Sequence, residues 1–125
     1  MKIYIMTDME GISGIWSDQQ TIAGTPQYAE GRKLLAADLN AAIEGALSGG
    51  ASEIVVNDGH GGGPHLLWDD VHPAAKYERP KGVENWAPGL DQTFGGAFLI
   101  GAHAMAGTQG AFLDHTQTGA WLNYY

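Results

Sequence analysis

Cysteine is absent from this 125-residue chain, so neither a disulfide nor a thiolate metal site is available. Any metal ion must be held by histidine and carboxylate. Cations are also scarce: six Lys and Arg stand against fourteen Asp and Glu, for a net charge of −8. Six cations cannot neutralise a row of phosphates, and the negative balance repels anionic lipid, so neither nucleic acid nor a membrane is expected as a partner. No apolar run approaches the roughly 18 residues of a spanning helix. Acids enter at Asp8 and Glu10, too early for a secretory leader, and a cytoplasmic protein is the expectation. What is present is a hydrophobic content of 44% with 16% charged residues, the balance of a globular protein. The length fits one domain over residues 1–125.

The most informative segment is TDMEGISG at residues 7–14, directly after a strand-like run KIYIM. Residues i and i+2 of an extended segment point to the same side, so Asp8 and Glu10 are able to converge on one point. Two carboxylates held close together repel unless a proton or a cation lies between them. The alternative is a strand end with two solvated acids.

Further along, the pattern predicts a βαβ unit. Residues 2–7 read as a central strand, and residues 13–26 as a long loop in which Trp16 is a lid or packing residue. The stretch 27–47 places Leu34, Leu35, Leu39, Ala42, Ile43 and Leu47 at helical spacing, and Gly49 and Gly50 end it. SEIVVND at 52–58 is a second buried strand, parallel to the first. A short strand at 76–78, a buried strand at 97–101, and a strand pair at 110–114 and 120–125 complete the expectation. This is an α/β fold, three layers deep (α/β/α), around a largely parallel sheet.

Ligand sites in such sheets gather beyond the carboxyl ends of the strands. Four ends here carry acids or histidines: Asp8 and Glu10 after the first strand, Asp58 and His60 after the second, His103 after the later apolar strand, and His115 after Asp114. Each alone is more often a satisfied histidine or a loop-capping acid; four together are not readily coincidental. Mixed oxygen and nitrogen ligands suit zinc, and less specifically manganese or cobalt. Asp8 is suited to bridge two ions, with Glu10, His60 and His103 completing their shells. Two ions about 3.5–4 Å apart activate water and polarise a carbonyl, which is hydrolase chemistry. His115 is then the candidate general acid–base. His65 and His72 fall in a loop-rich segment near Trp68, Asp69 and Asp70 and read as surface residues.

Two other motifs are set aside. HGGG at 60–63 matches an esterase oxyanion loop, but no G-x-S-x-G nucleophile elbow exists, since GISG at 11–14 is one residue short. GHGGGP brushes against a dinucleotide loop, but Pro64 occupies the last glycine position and no clear helix follows.

TDMEGISG, VNDGHGGG at 56–63, GLDQTFGGAFLIGAHA at 89–104 and DHT at 114–116, in this order and spacing, resemble the D-aminopeptidase DppA family, peptidase family M55. The resemblance covers nearly the whole chain. It implies a zinc aminopeptidase with two Zn2+ per complete site, acting on short peptides with an N-terminal D-amino acid, within a ring-shaped homo-oligomer. Carried over by position, it implies Asp8 as bridging ligand, Glu10 as ligand to one ion, His60 and His103 as the histidine ligands and His115 as the catalytic histidine. Family members are about twice as long, and a further glutamate ligand shortly beyond the position of Tyr125 has no counterpart here. The expected fold is therefore C-terminally incomplete relative to the family, and the alternative function is a non-catalytic metal-binding or assembly module that keeps most of the site.

Overall fold

The computed structural model describes residues 1–79 and 86–116. Four strands, β1 (Lys2–Thr7), β2 (Glu53–Asp58), β3 (Lys76–Glu78) and β4 (Gly96–Ile100), form one sheet in the order β3-β2-β1-β4. Every pairing is parallel. The α/β class and the parallel sheet stand as expected, and one α-helix, α1 (Tyr28–Ser48), is found among the described residues.

Strand alternation divides the core between the two faces of the sheet. Ile3 and Ile5 of β1 and Ile54 and Val56 of β2 pack with Leu39 and Ile43 of α1. The opposite face carries Tyr4, Met6 and Val55, covered by Trp86, Ala87 and Phe94. Burial on both faces explains why β1 and β2 read as continuous apolar runs and not as alternating ones. Leu35, Leu39 and Ile43 are fully buried at four-residue spacing along α1, and each contributes about 1.5–3 kcal/mol through burial. β4, expected as a buried strand, instead lies uncovered at the opposite edge from β3, with Leu99 64% and Phe98 39% exposed.

Several elements depart from the sequence expectation. The loop at 13–26 contains a short 3₁₀ turn at Asp18–Gln20, closed by a reciprocal capping box between Ser17 and Gln20. The fully buried Gln20 accepts from the Trp16 and Ser17 amides and donates to the Gly14 carbonyl and to Glu30. This turn seats on α1 at Gly31, where a Cβ would collide with the Gln20 carbonyl oxygen, so only glycine permits the approach. Trp16, expected as a lid or packing residue, is 77% exposed. β4 ends at Ile100, one residue before the expected end. Gly101 adopts φ +75 there, and a side chain on it would strike the Asp8 carbonyl. Residues 110–114 form no strand: Gly110 and Leu113 both take positive φ, which turns the chain. An isolated bridge pairs Met105 with His115 instead. The expected strand at 120–125 lies outside the described residues.

Candidate metal centre

The site follows from the strand register. Thr7, the last residue of β1, pairs with Asp58 of β2 and with Ile100 of β4, so the three chains leave the sheet at one level. The Asp8 amide donates to the Ile100 carbonyl at 2.9 Å and the Gly11 amide to the Gly101 carbonyl at 2.8 Å, fastening the 8–11 turn against the exit of β4. Asp8 and Glu10 are thereby held between the segments that carry His60 and His103.

Asp8, Glu10 and His60 each present a ligand atom, and these atoms lie within 4.8 Å of one another. His60 Nδ1 is 3.0 Å from Asp8 Oδ1 and 3.1 Å from Glu10 Oε2. Its other nitrogen, Nε2, donates to the Thr21 carbonyl at 3.0 Å. That bond fixes the tautomer of a neutral ring: the proton sits on Nε2, and Nδ1 directs a lone pair at two carboxylates. Such an arrangement is repulsive without a positive charge at its centre. Glu10 Oε2 is moreover buried without a hydrogen-bond partner, its approach to Nδ1 lacking the alignment of a bond.

In the absence of a cation a proton takes that place. Burial alone would lower the His60 pKa, but contact with Asp8 and Glu10, and their charges, push it up to about 10. Burial likewise would raise the Asp8 pKa, yet the hydrogen bond from His60 and the charge of the protonated ring hold it well below the usual carboxylate range. An imidazole and two carboxylates, one of them with a buried oxygen that has no hydrogen-bond partner, are the donor set of a divalent cation, and a Zn2+ ion fits them.

His103 comes from the other side. Its amide donates to Asp8 Oδ2 at 3.3 Å, and its Nδ1–H donates to the Ala104 carbonyl at 2.8 Å. Nε2 is thus the basic nitrogen, 3.9 Å from Asp8 Oδ2. Asp8 turns one oxygen to His60 and the other to His103. His115 stacks on His103 with ring centroids 3.5 Å apart, and donates from Nδ1 to the Leu113 carbonyl at 2.8 Å, which leaves its Nε2 basic. The structure therefore brings Asp8, Glu10 and His60 into one group, sets His103 against Asp8, and places His115 on the outer face of His103.

Asp58, at the end of β2, plays a different part: Oδ2 accepts from the amides of His65 and Leu66, tying down the loop that follows His60. His72 is half-buried, with Nε2 2.8 Å from Glu44. His65 is not a surface residue. It is 8% exposed, and its ring lies 4.8 Å from that of His60. Its position in a glycine-rich, proline-flanked segment hid it, because burial there comes from contacts with α1, 33 to 37 residues away in sequence. A cavity of about 600 Å³ opens beside the same loop, lined by Asp58, Gly62, Pro64, Leu66, Trp68 and Arg79 among others. No sequence pattern announced it.

Comparison with known proteins places the chain in a family. Residues 1–124 match the D-aminopeptidase family, peptidase family M55. A D-aminopeptidase of Bacillus subtilis (strain 168) is 34% identical over 129 aligned positions, which take in 100% of this chain and 46% of that protein. The structure of a protein described as a Zn-dependent D-aminopeptidase, DppA from Bacillus subtilis, a self-compartmentalizing protease, superposes with a TM-score of 0.81 at 37% identity. It covers 86% of this chain and 40% of its own. The chain thus spans less than half the length of the relatives it matches.

Proposed function

This chain belongs to the D-aminopeptidase family, peptidase family M55, and from that premise we propose that it carries most of the active site of a zinc-dependent aminopeptidase. The substrate class is short peptides with an N-terminal D-amino acid, the preference for D-residues following the names of the two relatives. The observation that carries the reading is His60 Nδ1 facing Asp8 and Glu10 at 3.0 and 3.1 Å with its tautomer set by Thr21.

Each residue has a defined task. Asp8, with one oxygen toward His60 and one toward His103, is the residue that would be shared between two bound ions. Glu10 and His60 complete one ligand group, and His103 serves a second through Nε2. Bound zinc supplies Lewis acidity toward water and the scissile carbonyl. His115, with Nε2 basic and its ring against His103, takes and returns a proton. We place the domain in a homo-oligomer, in keeping with the self-compartmentalizing relative and with the exposed Phe98, Leu99 and Met105 along β4 and after it.

Metal analysis of protein purified without chelator tests the reading, with zinc-edge anomalous scattering to locate the ions. Zinc at the Asp8–Glu10–His60 group is the expected result. Protein that arrives metal-free and takes up neither zinc, cobalt nor manganese overturns it. Zinc uptake without hydrolysis of D-alanyl peptides by the assembled protein supports instead a metal-binding module that keeps the site without turnover.

A further inference from the structure

His60 is followed by three glycines, Gly61, Gly62 and Gly63, all at positive φ. No regular element of more than three residues carries this histidine, and the glycines supply no side chains to brace it. A metal ligand on such a loop loses affinity unless something else fixes its position. The bracing comes from His65. Its Nε2–H donates to the His60 carbonyl at 2.5 Å. With that proton assigned, Nδ1 is an acceptor, and it receives the Tyr28 hydroxyl at 2.5 Å. The backbone of His65 is pinned as well: its amide donates to Asp58 Oδ2 at 2.6 Å, and its carbonyl accepts from Arg32 Nε. Tyr28 and Arg32 stand in the first turns of α1, and Asp58 ends β2. The ring is therefore referred to two rigid elements and hands that reference to His60.

A buried histidine that merely filled the core would need its nitrogens satisfied by any available groups. Here one nitrogen is spent on the residue that faces Asp8 and Glu10, and the other on a helix. From this geometry we propose that His65, oriented by Tyr28, is a positioning residue that holds the His60 imidazole at the metal centre. The proposal rests on His60 being a ligand, and the experiment separates the two.

Zinc affinity, by competition with a chromogenic chelator, and the visible absorption of the cobalt-loaded protein are compared across His60→Ala, His65→Leu, His65→Gln and Tyr28→Phe, with thermal melting of each metal-free form. His65→Leu is expected to weaken zinc binding by about 10–100-fold and to change the cobalt spectrum. His65→Gln, whose amide N–H reaches the same carbonyl, restores most of the affinity, and Tyr28→Phe falls between. Zinc binding unaltered by His60→Ala overturns the ligand assignment, and the positioning role with it. Zinc binding abolished by His60→Ala but unaltered in affinity and spectrum by His65→Leu overturns the positioning role alone. If His65→Leu does not fold, Tyr28→Phe decides: it removes one hydroxyl, and unchanged affinity and spectrum refute the proposal. A loss of melting temperature equal in His65→Gln and His65→Leu, with unchanged metal affinity in both, identifies a structural histidine.

Discussion

The two sides of the metal centre are built unlike each other. On the β2 side, His60 is enclosed by Thr21, His65 and the two acids, and the layer behind it consists of Tyr28 and Arg32 of α1 and Asp58 of β2, all bonded to His65, with Gln20 bonded to Glu30 of α1. On the β4 side, His103 is held by its own backbone and by Ala104, with His115 laid over it and most of 105–112 exposed. Asp8 joins the two, with one oxygen committed to each. The difference separates tasks. A ligand must keep its place to hold an ion, whereas a proton-transferring group needs access to substrate and solvent. The braced side suits the first task; on the other side His103 is itself a proposed ligand with a side chain only 7% exposed, and the exposed His115 laid over it suits the second.

The largest effect is expected from cutting the joint. Asp8→Ala removes the carboxylate shared by both sides, and the protein should retain no zinc after dialysis and no activity, as read by elemental analysis and a D-alanyl peptide assay. If zinc stays, the two sides hold it independently and Asp8 bridges nothing. The open side is then tested by His115→Ala, which should lower the peptidase rate by about 10²–10⁴-fold while leaving metal content intact. Full turnover in that variant would mark His115 as a stacking partner of His103 and no more.

The braced side is tested away from the metal by Gly31→Ala. The added methyl meets the Gln20 carbonyl, at a cost of about 1–3 kcal/mol, more than the gain of about 1 kcal/mol from alanine's helix propensity. A lower melting temperature with helical content retained is expected. Weakened zinc binding should accompany it, because Thr21, which fixes His60, follows Gln20 directly. A melting temperature at or above wild type would show that the turn is free to lift without loss.

The last effect concerns pH in the metal-free protein. The folded His60 pKa, about 10, stands above the unfolded value near 6.5. The contribution to stability is therefore complete below about pH 6.5 and disappears as pH rises through about 10. Asp8 is shifted the other way, and its contribution is present above an unfolded value near 3.9 and disappears as pH falls below it. Melting temperatures of the metal-free protein should accordingly fall toward pH 10, and fall less in His60→Gln. Equal slopes in both proteins would remove the His60–Asp8–Glu10 contact from the balance.

Much was legible in the chain before any coordinates. Local pattern decides β1, β2 and α1, because burial on two sheet faces selects unbroken β-branched and apolar runs, and one helix face selects Leu35, Leu39 and Ile43 at fixed spacing. The exclusion of sulfur ligands and the placing of Asp8, Glu10, His60 and His103 after apolar strands follow from composition and order alone. What the sequence left open depended on contacts between distant segments. Register brought the three strand exits to one level, the Thr21 carbonyl chose the tautomer of His60, and helix α1 drew His65 out of a loop into the interior. Residues 110–114 failed as a strand because Gly110 and Leu113 adopt positive φ, which a hydropathy pattern does not record. A pattern along the chain reports which way a side chain faces within its own element; which partner it meets is decided only when the elements pack.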